Sequence, residues 1–283
     1  MSLAVAIAAG VLIGLTLGAL GGGGSILAVP VLVYLLDQSP AQATTGSLVV
    51  VGVTSLIGAL AARRAGTVLI ARGVTFGLVA VGGAVLGARA SARVADAVLL
   101  AMFAALMLLV GALMAWRLFR HHASSKDPDD TDGTKTYRPS RPALDDPILT
   151  FSPTFACQCP RALKVLLTAT LVGLLTGFLG VGGGFLVVPA LLLALALPEA
   201  YAAGTSLVVI TITSAAALLA RTGVGSAPDW GVVAVLTATS ALAAVAGVRL
   251  ADRVDAHRLS AAFTVLVLAV AGYTATQAVP ALT

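Results

Sequence analysis

Two glycine clusters stand in otherwise apolar sequence, Gly21–Gly24 and Gly180–Gly184, the second interrupted by Val181. Each opens a short stretch that carries a proline, Pro30 in the first copy and Pro189 in the second. Hydroxyls follow each cluster, Thr45, Ser47 and Thr54 after the first and Thr205, Ser206 and Thr213 after the second, with Ser47/Ser206 and Thr54/Thr213 in matching places. Glycine permits tight or left-handed backbone and leaves N–H groups uncovered, and a helix start adds a dipole that favours negative charge. Ser47 and Thr54 are seven residues apart, as are Ser206 and Thr213, so each pair shares one helix face. Hydroxyls can donate to an anion's oxygens without adding charge. The candidate binding residues for a small anion are therefore Gly21, Gly22, Gly23, Gly24, Ser25, Thr45, Ser47 and Thr54, with Gly180, Gly182, Gly183, Gly184, Thr205, Ser206 and Thr213. The competing reading makes the glycines close-packing residues and ties the hydroxyls to neighbouring helices or to their own carbonyls.

Other residues narrow the chemistry. The clusters are not nucleotide fingerprints, because no strand precedes them and no lysine follows. Arg89 and Arg93 correspond to Arg249 and Arg253, each pair four apart at a segment end. Such arginines usually reach for lipid headgroups; the alternative is an anion-attracting vestibule. No Asp, Glu, Lys or His interrupts the interior of an apolar segment. A cation carrier or carboxylate-based proton pump places an acid there, and a membrane hydrolase needs a His, Asp or Cys constellation. Cys157 and Cys159 are too close for an unstrained disulfide and too few for a structural zinc site. No metal, cofactor or catalytic residue is expected.

The elements that must position these residues are written twice. From Gly14 to Ser55 the sequence returns at Gly173–Ser214 with a constant offset and no gap, and 20 of the 42 pairs are identical. Apolar composition could repeat Leu and Val by chance, but not matched glycines, prolines and hydroxyls. Repeated, interrupted apolar segments are the best sequence pointer to a transporter with its site between two repeats. The chain is 59% hydrophobic and only 10% charged, with mean hydropathy +1.03. Apolar runs of spanning length, about 20 residues, recur along it. These features predict an all-α integral membrane protein in a lipid bilayer. The pI near 9.7 does not indicate nucleic acid, because the basic residues sit in loops between apolar spans. The start, MSLAVAIAAG, has no basic region, so a cleaved leader is not expected.

Three parts are expected: a first transmembrane repeat over 1–119, a polar linker over 120–161 and a second repeat over 162–283. Ser25–Leu36 is only 12 residues, about 18 Å as a helix against a hydrocarbon core of about 30 Å, so it reads as a re-entrant or tilted half-helix. If each glycine break is a hairpin, the second repeat is inverted. One face then receives 14 of the 17 basic residues, which orients the linker toward the cytoplasm and both termini outside. Gly14/Gly18 and Gly173/Gly177 are at helix-packing spacing, and alanine at Gly14 is expected to be milder than a side chain within a break.

At these residues the chain resembles the TauE/SafE family of sulfite and sulfonate exporters. The resemblance rests on the doubled segments GALGGGGSILAVP and GFLGVGGGFLVVP and on TTGSLVV and AGTSLVV after them. It covers nearly the whole chain outside the linker, whose length and cysteine pair look like departures. It implies a permease for a small sulfur oxoanion or sulfonate, in a prokaryotic cytoplasmic membrane. Two alternatives stay open: an anion channel of the same architecture, and a membrane-embedded sensor or assembly factor acting through the linker.

Overall fold

The computed structural model of the chain describes residues 3–91, 93–95, 98–99, 101–112, 159–180, 184–194, 197, 199–221, 227–251, 264–265 and 268–272. Gly182, Gly183, Arg253, Cys157 and nearly all of the expected linker lie outside the described residues. Among the described residues the chain is helical, without strands: α1 Leu3–Leu20, α2 Ser25–Pro30, α3 Pro40–Ala65 and α4 Ile70–Ser91. A shorter apolar helix, α5, covers Ala101–Ala112. Then come α6 Cys159–Leu179, α7 Gly184–Ala194, α8 Glu199–Arg221 and α9 Trp230–Ala251. The second copy's helix thus begins at Cys159, inside the stretch expected as linker.

Local chemistry sets the boundaries. Ser39 and Gln42 form a reciprocal capping box at the start of α3, with Pro40 at its first position. Gly66 ends α3 in the left-handed conformation, φ 76°, where a glycine carries no side-chain penalty. At α9 the Asp229 carboxylate accepts from the Gly231 N–H at 2.9 Å. The short arm behaves as its length requires. α2 runs into a π-helical turn, Val31–Leu35, behind Pro30, whose ring has no N–H to continue an α-helical ladder. Residues 21–32 are all buried, so this irregular backbone is enclosed by protein, as a bilayer demands. Leu99, Phe103, Met107 and Val110, in and just before α5, cover Ile26 and Val29 of the arm.

The two copies interlock. α1 packs chiefly against α9, and its counterpart α6 packs against α4. A Cβ on Gly14 or Gly18 would collide with backbone at Ser240 or Ala244, and one on Gly173 or Gly177 with backbone at Ala80 or Ala84. These glycines are close-packing residues, as their spacing implies. Alanine at Gly14, expected to be milder than a side chain within a break, meets the Ser240 carbonyl of another helix rather than a side chain that could turn away. Rising residue numbers on α1 meet rising numbers on α9, and likewise for α4 with α6. On α3 and α8 the sense is opposite, with Gly52 against Ser214 and Gly58 against Leu207.

Among the described residues, five helices are long and apolar enough to cross a membrane: Leu3–Leu20, Pro40–Ala65, Ile70–Ser91, Tyr201–Arg221 and Trp230–Ala251. Their surfaces are arranged for lipid. Leu242 is 78% exposed and Leu219 72%, while Ser47, Thr54, Ser206 and Thr213 are each 0% exposed. In water such leucines would cost free energy; in hydrocarbon they are solvated, and it is the polar groups that must be enclosed.

Candidate functional site

Gly21 and Gly180 occupy equivalent positions and adopt the same left-handed backbone, φ 68° and 66°. A side chain at Gly21 would strike the Ala203 backbone, and one at Gly180 would strike Thr44, the residue equivalent to Ala203. Both positions therefore require glycine twice over, for conformation and for space. The breaks also touch each other. A Cβ on Gly22 would collide with the Gly184 carbonyl, and one on Gly184 would meet Gly22 and the Ser25 hydroxyl.

Two hydroxyls tie the copies together in a reciprocal pattern. Ser47 Oγ donates to the Gly180 carbonyl, and Ser206 Oγ donates to the Gly21 carbonyl. Each serine thus holds the glycine break of the opposite repeat. Both serines also lie within reach of a carbonyl in their own helix, Thr44 O at 3.0 Å and Ala203 O at 2.7 Å.

The remaining expected residues divide into groups. Ser25 Oγ donates to Gly22 O at 2.7 Å, inside the first break. Thr45 donates to Ala41 O at 3.2 Å and Thr213 to Val209 O at 3.0 Å, each within its own helix. Thr54 Oγ1 and Ser240 Oγ lie 2.6 Å apart and share a hydrogen bond between α3 and α9. Thr205 Oγ1 accepts from the Leu69 N–H at 3.1 Å, joining α8 to the turn before α4. The N–H groups of Ser25, Ile26 and Leu27 bond to the carbonyls of Gly22, Gly23 and Gly24. Gly24 itself packs on α1, beside Ile13 and Leu17. Arg89, Arg93 and Arg249 are exposed at helix ends.

Sequence reasoning passed over three features. Ser240 is the partner of Thr54 across the helix interface. Ser55 and Ser214, equivalent residues on α3 and α8, are buried with hydroxyls that have no hydrogen-bond partner among the described residues. Arg221, at the end of α8, turns inward and reaches Thr44, next to Gly180. Two of these had a signal in the sequence: Ser55 and Ser214 are an identical pair of the repeat, and the counterpart of Arg221 in the first copy is Ala62, so a charge stands at that position in one repeat alone.

Interlocked apolar helices with lipid-solvated leucines outside and paired hydroxyls inside define a multi-pass membrane protein. Its two broken segments place it among transporters. The chain belongs to the TauE/SafE sulfite exporter family, whose model, described as "Sulfite exporter TauE/SafE", matches residues 6–274. A protein of Xylella fastidiosa strain 9a5c is 32% identical over 277 residues, 96% of this chain and 94% of its own length. One of strain Temecula1 is 35% identical over 210 residues, 74% of this chain and 70% of its own. Both are named "Probable membrane transporter protein". No solved structure matches the chain significantly. The protein is thus a membrane transporter of the TauE/SafE type.

Proposed function

We propose that this transporter moves a small sulfur-containing anion, sulfite or an organosulfonate, across a prokaryotic cytoplasmic membrane, binding it between the two glycine breaks. The reading is carried by one observation: each break is held by a serine from the opposite repeat, Ser47 on Gly180 and Ser206 on Gly21. Two equivalent, mutually latched backbone irregularities are what alternating access around a central site requires. With Gly22 against Gly184, the breaks stand closed, and substrate enters only when one latch opens. The first-turn donors of α2 are occupied by the glycine carbonyls, so the anion would be met by N–H groups of the glycines themselves. Ser55 and Ser214, whose hydroxyls are unpartnered, are further donors once the helices move.

We also propose that the repeats are inverted, with the linker over 120–161 in the cytoplasm and both termini outside. Support comes from the opposed senses of α3 and α8, which are equivalent helices of the two copies, and from the 14-to-3 division of basic residues. On this reading the Ser206–Gly21 latch lies toward the cytoplasm, beside the Thr67–Leu69 turn, and the Ser47–Gly180 latch lies toward the outside.

Proteoliposomes containing the purified chain test the proposal. Saturable flux of sulfite or of an organosulfonate, in excess of sulfate and thiosulfate, is expected. Absence of flux for every member of that panel would overturn the substrate reading.

A further inference from the structure

We infer that Arg221, oriented by Thr44 and Ser91, forms an oxoanion-binding site beside the Gly180 break, with no equivalent cluster at the matching positions of the other repeat. The inference rests on the reading of the chain as an anion transporter and adds a charged anchor to it. The Arg221 guanidinium donates from Nη1 to Thr44 Oγ1 at 2.8 Å and from Nη2 to Ser91 Oγ at 2.7 Å. Nη2 also faces the last carbonyls of α6, Gly177 O at 3.1 Å and Phe178 O at 3.5 Å. Thr44 in turn lies against Gly180, so the cation stands one side chain away from the break.

Three observations point to a ligand. First, every partner of this guanidinium is neutral, and no carboxylate pairs with it among the described residues. A cation withdrawn from water without a counter-ion is costly, by several kcal/mol as a general matter, and a bound anion would supply what is missing. Second, Arg221 Nε is buried and has no acceptor among the described residues. A guanidinium with an unfilled N–H can add a bond to an oxoanion, and exchange of one Nη2 contact would give it the two parallel bonds of the fork. Third, the cluster is absent from the equivalent place in the other half. Arg221, Thr44 and Ser91 correspond to Ala62, Ala203 and Ala251. The matching positions are three alanines, so holding a helix by its terminal carbonyls does not by itself demand an arginine there; the buried Nε in that half belongs to Arg72, at the start of α4. The hydroxyls are oriented to accept from the cation, because Thr44 and Ser91 spend their own hydrogens on Ala41 O and Ala88 O, both at 2.9 Å. The site would take a small oxoanion of the sulfite kind, bound by charge and by the guanidinium fork.

The test uses the full chain purified in detergent, with sulfite as the probe and chloride at equal ionic strength as the control. Sulfite affinity is measured by calorimetry, and the unfolding midpoint is followed with and without sulfite. Arg221→Gln should weaken sulfite about ten- to a hundredfold, the span of a hydrogen bond to a charged group. Arg221→Lys, which keeps the charge but loses the fork, should fall between. In both variants the stabilisation by sulfite should shrink, which loss of a purely structural cap would not cause. Wild-type affinity in either folded variant would overturn the inference while leaving the transport reading intact. If neither variant folds, Arg221 is a folding residue and the inference falls as well. Should the wild-type chain bind no sulfite and carry no sulfur anion in vesicles, the transport reading itself fails, and the anchor with it.

Discussion

Replacing Ser206 with alanine removes the hydrogen bond that its hydroxyl gives to the Gly21 carbonyl, and replacing Ser47 does the same at Gly180. The second contact of each serine, to Ala203 O or Thr44 O, matters less, because those carbonyls also belong to the backbone ladder of their own helices. The carbonyls at the breaks sit in left-handed turns within a buried region and have no such ladder to fall back on. Leaving one buried acceptor unpaired costs about 1–3 kcal/mol, part of which is recovered as the break relaxes. A loss of about 1–2 kcal/mol in the closed state corresponds to a roughly five- to thirtyfold rise in the open population. Hydrogen exchange followed by mass spectrometry reads this directly. Ser206→Ala should raise exchange across 21–24 by that factor and leave 180–184 near the wild-type rate, whereas Ser47→Ala should do the reverse. The crossed pattern is the critical feature, since each serine lies in the repeat opposite to the break it controls. Faster exchange confined to the mutated residue's own helix, with neither break affected, would refute the latch reasoning.

Adjacent glycines in α4 should behave oppositely. Gly82→Ala, with nothing near its Cβ, should be neutral or stabilise by up to about 1 kcal/mol, while Gly83→Ala, which drives a Cβ into Thr170 O, should lower the unfolding midpoint of the purified protein markedly. A double-mutant cycle on Thr54→Val and Ser240→Ala should return a coupling of about 1 kcal/mol from their shared hydrogen bond; additive losses would mean the contact carries no energy. Single cysteines near Gly66 and Gly133 should be labelled only from the cytoplasm and one near Ser39 only from outside. Labelling of the first two from opposite faces would contradict the inverted arrangement.

The sequence was most legible where a residue type had one physical use. Matched glycines and prolines revealed the repeat, the small-residue spacing of Gly14/Gly18 and Gly173/Gly177 identified packing faces, and the length of Ser25–Leu36 excluded a straight span. It was least legible where partners come from the other repeat. Nothing local to Ser47 says that its acceptor is Gly180, 133 residues away, so the hydroxyl pattern could be seen but not its partner. The same holds for Thr54 and Ser240, and for the Ser240 carbonyl that makes Gly14 intolerant of a methyl group. Arg221 was obscured for another reason. At a helix end it looks like any headgroup-seeking arginine, and only its inward contacts with Thr44 and Ser91 separate it from the exposed Arg89 and Arg249.

The central claim is that the anion binds at the glycine breaks, and equilibrium binding of sulfite to glycine-break variants tests it most directly. Gly23→Val and Gly183→Val each place a branched side chain within a break. Measured on variants that still elute as folded protein, both should lose sulfite binding. Unchanged sulfite affinity in both would contradict the account, moving the site away from the breaks and leaving these glycines as packing residues.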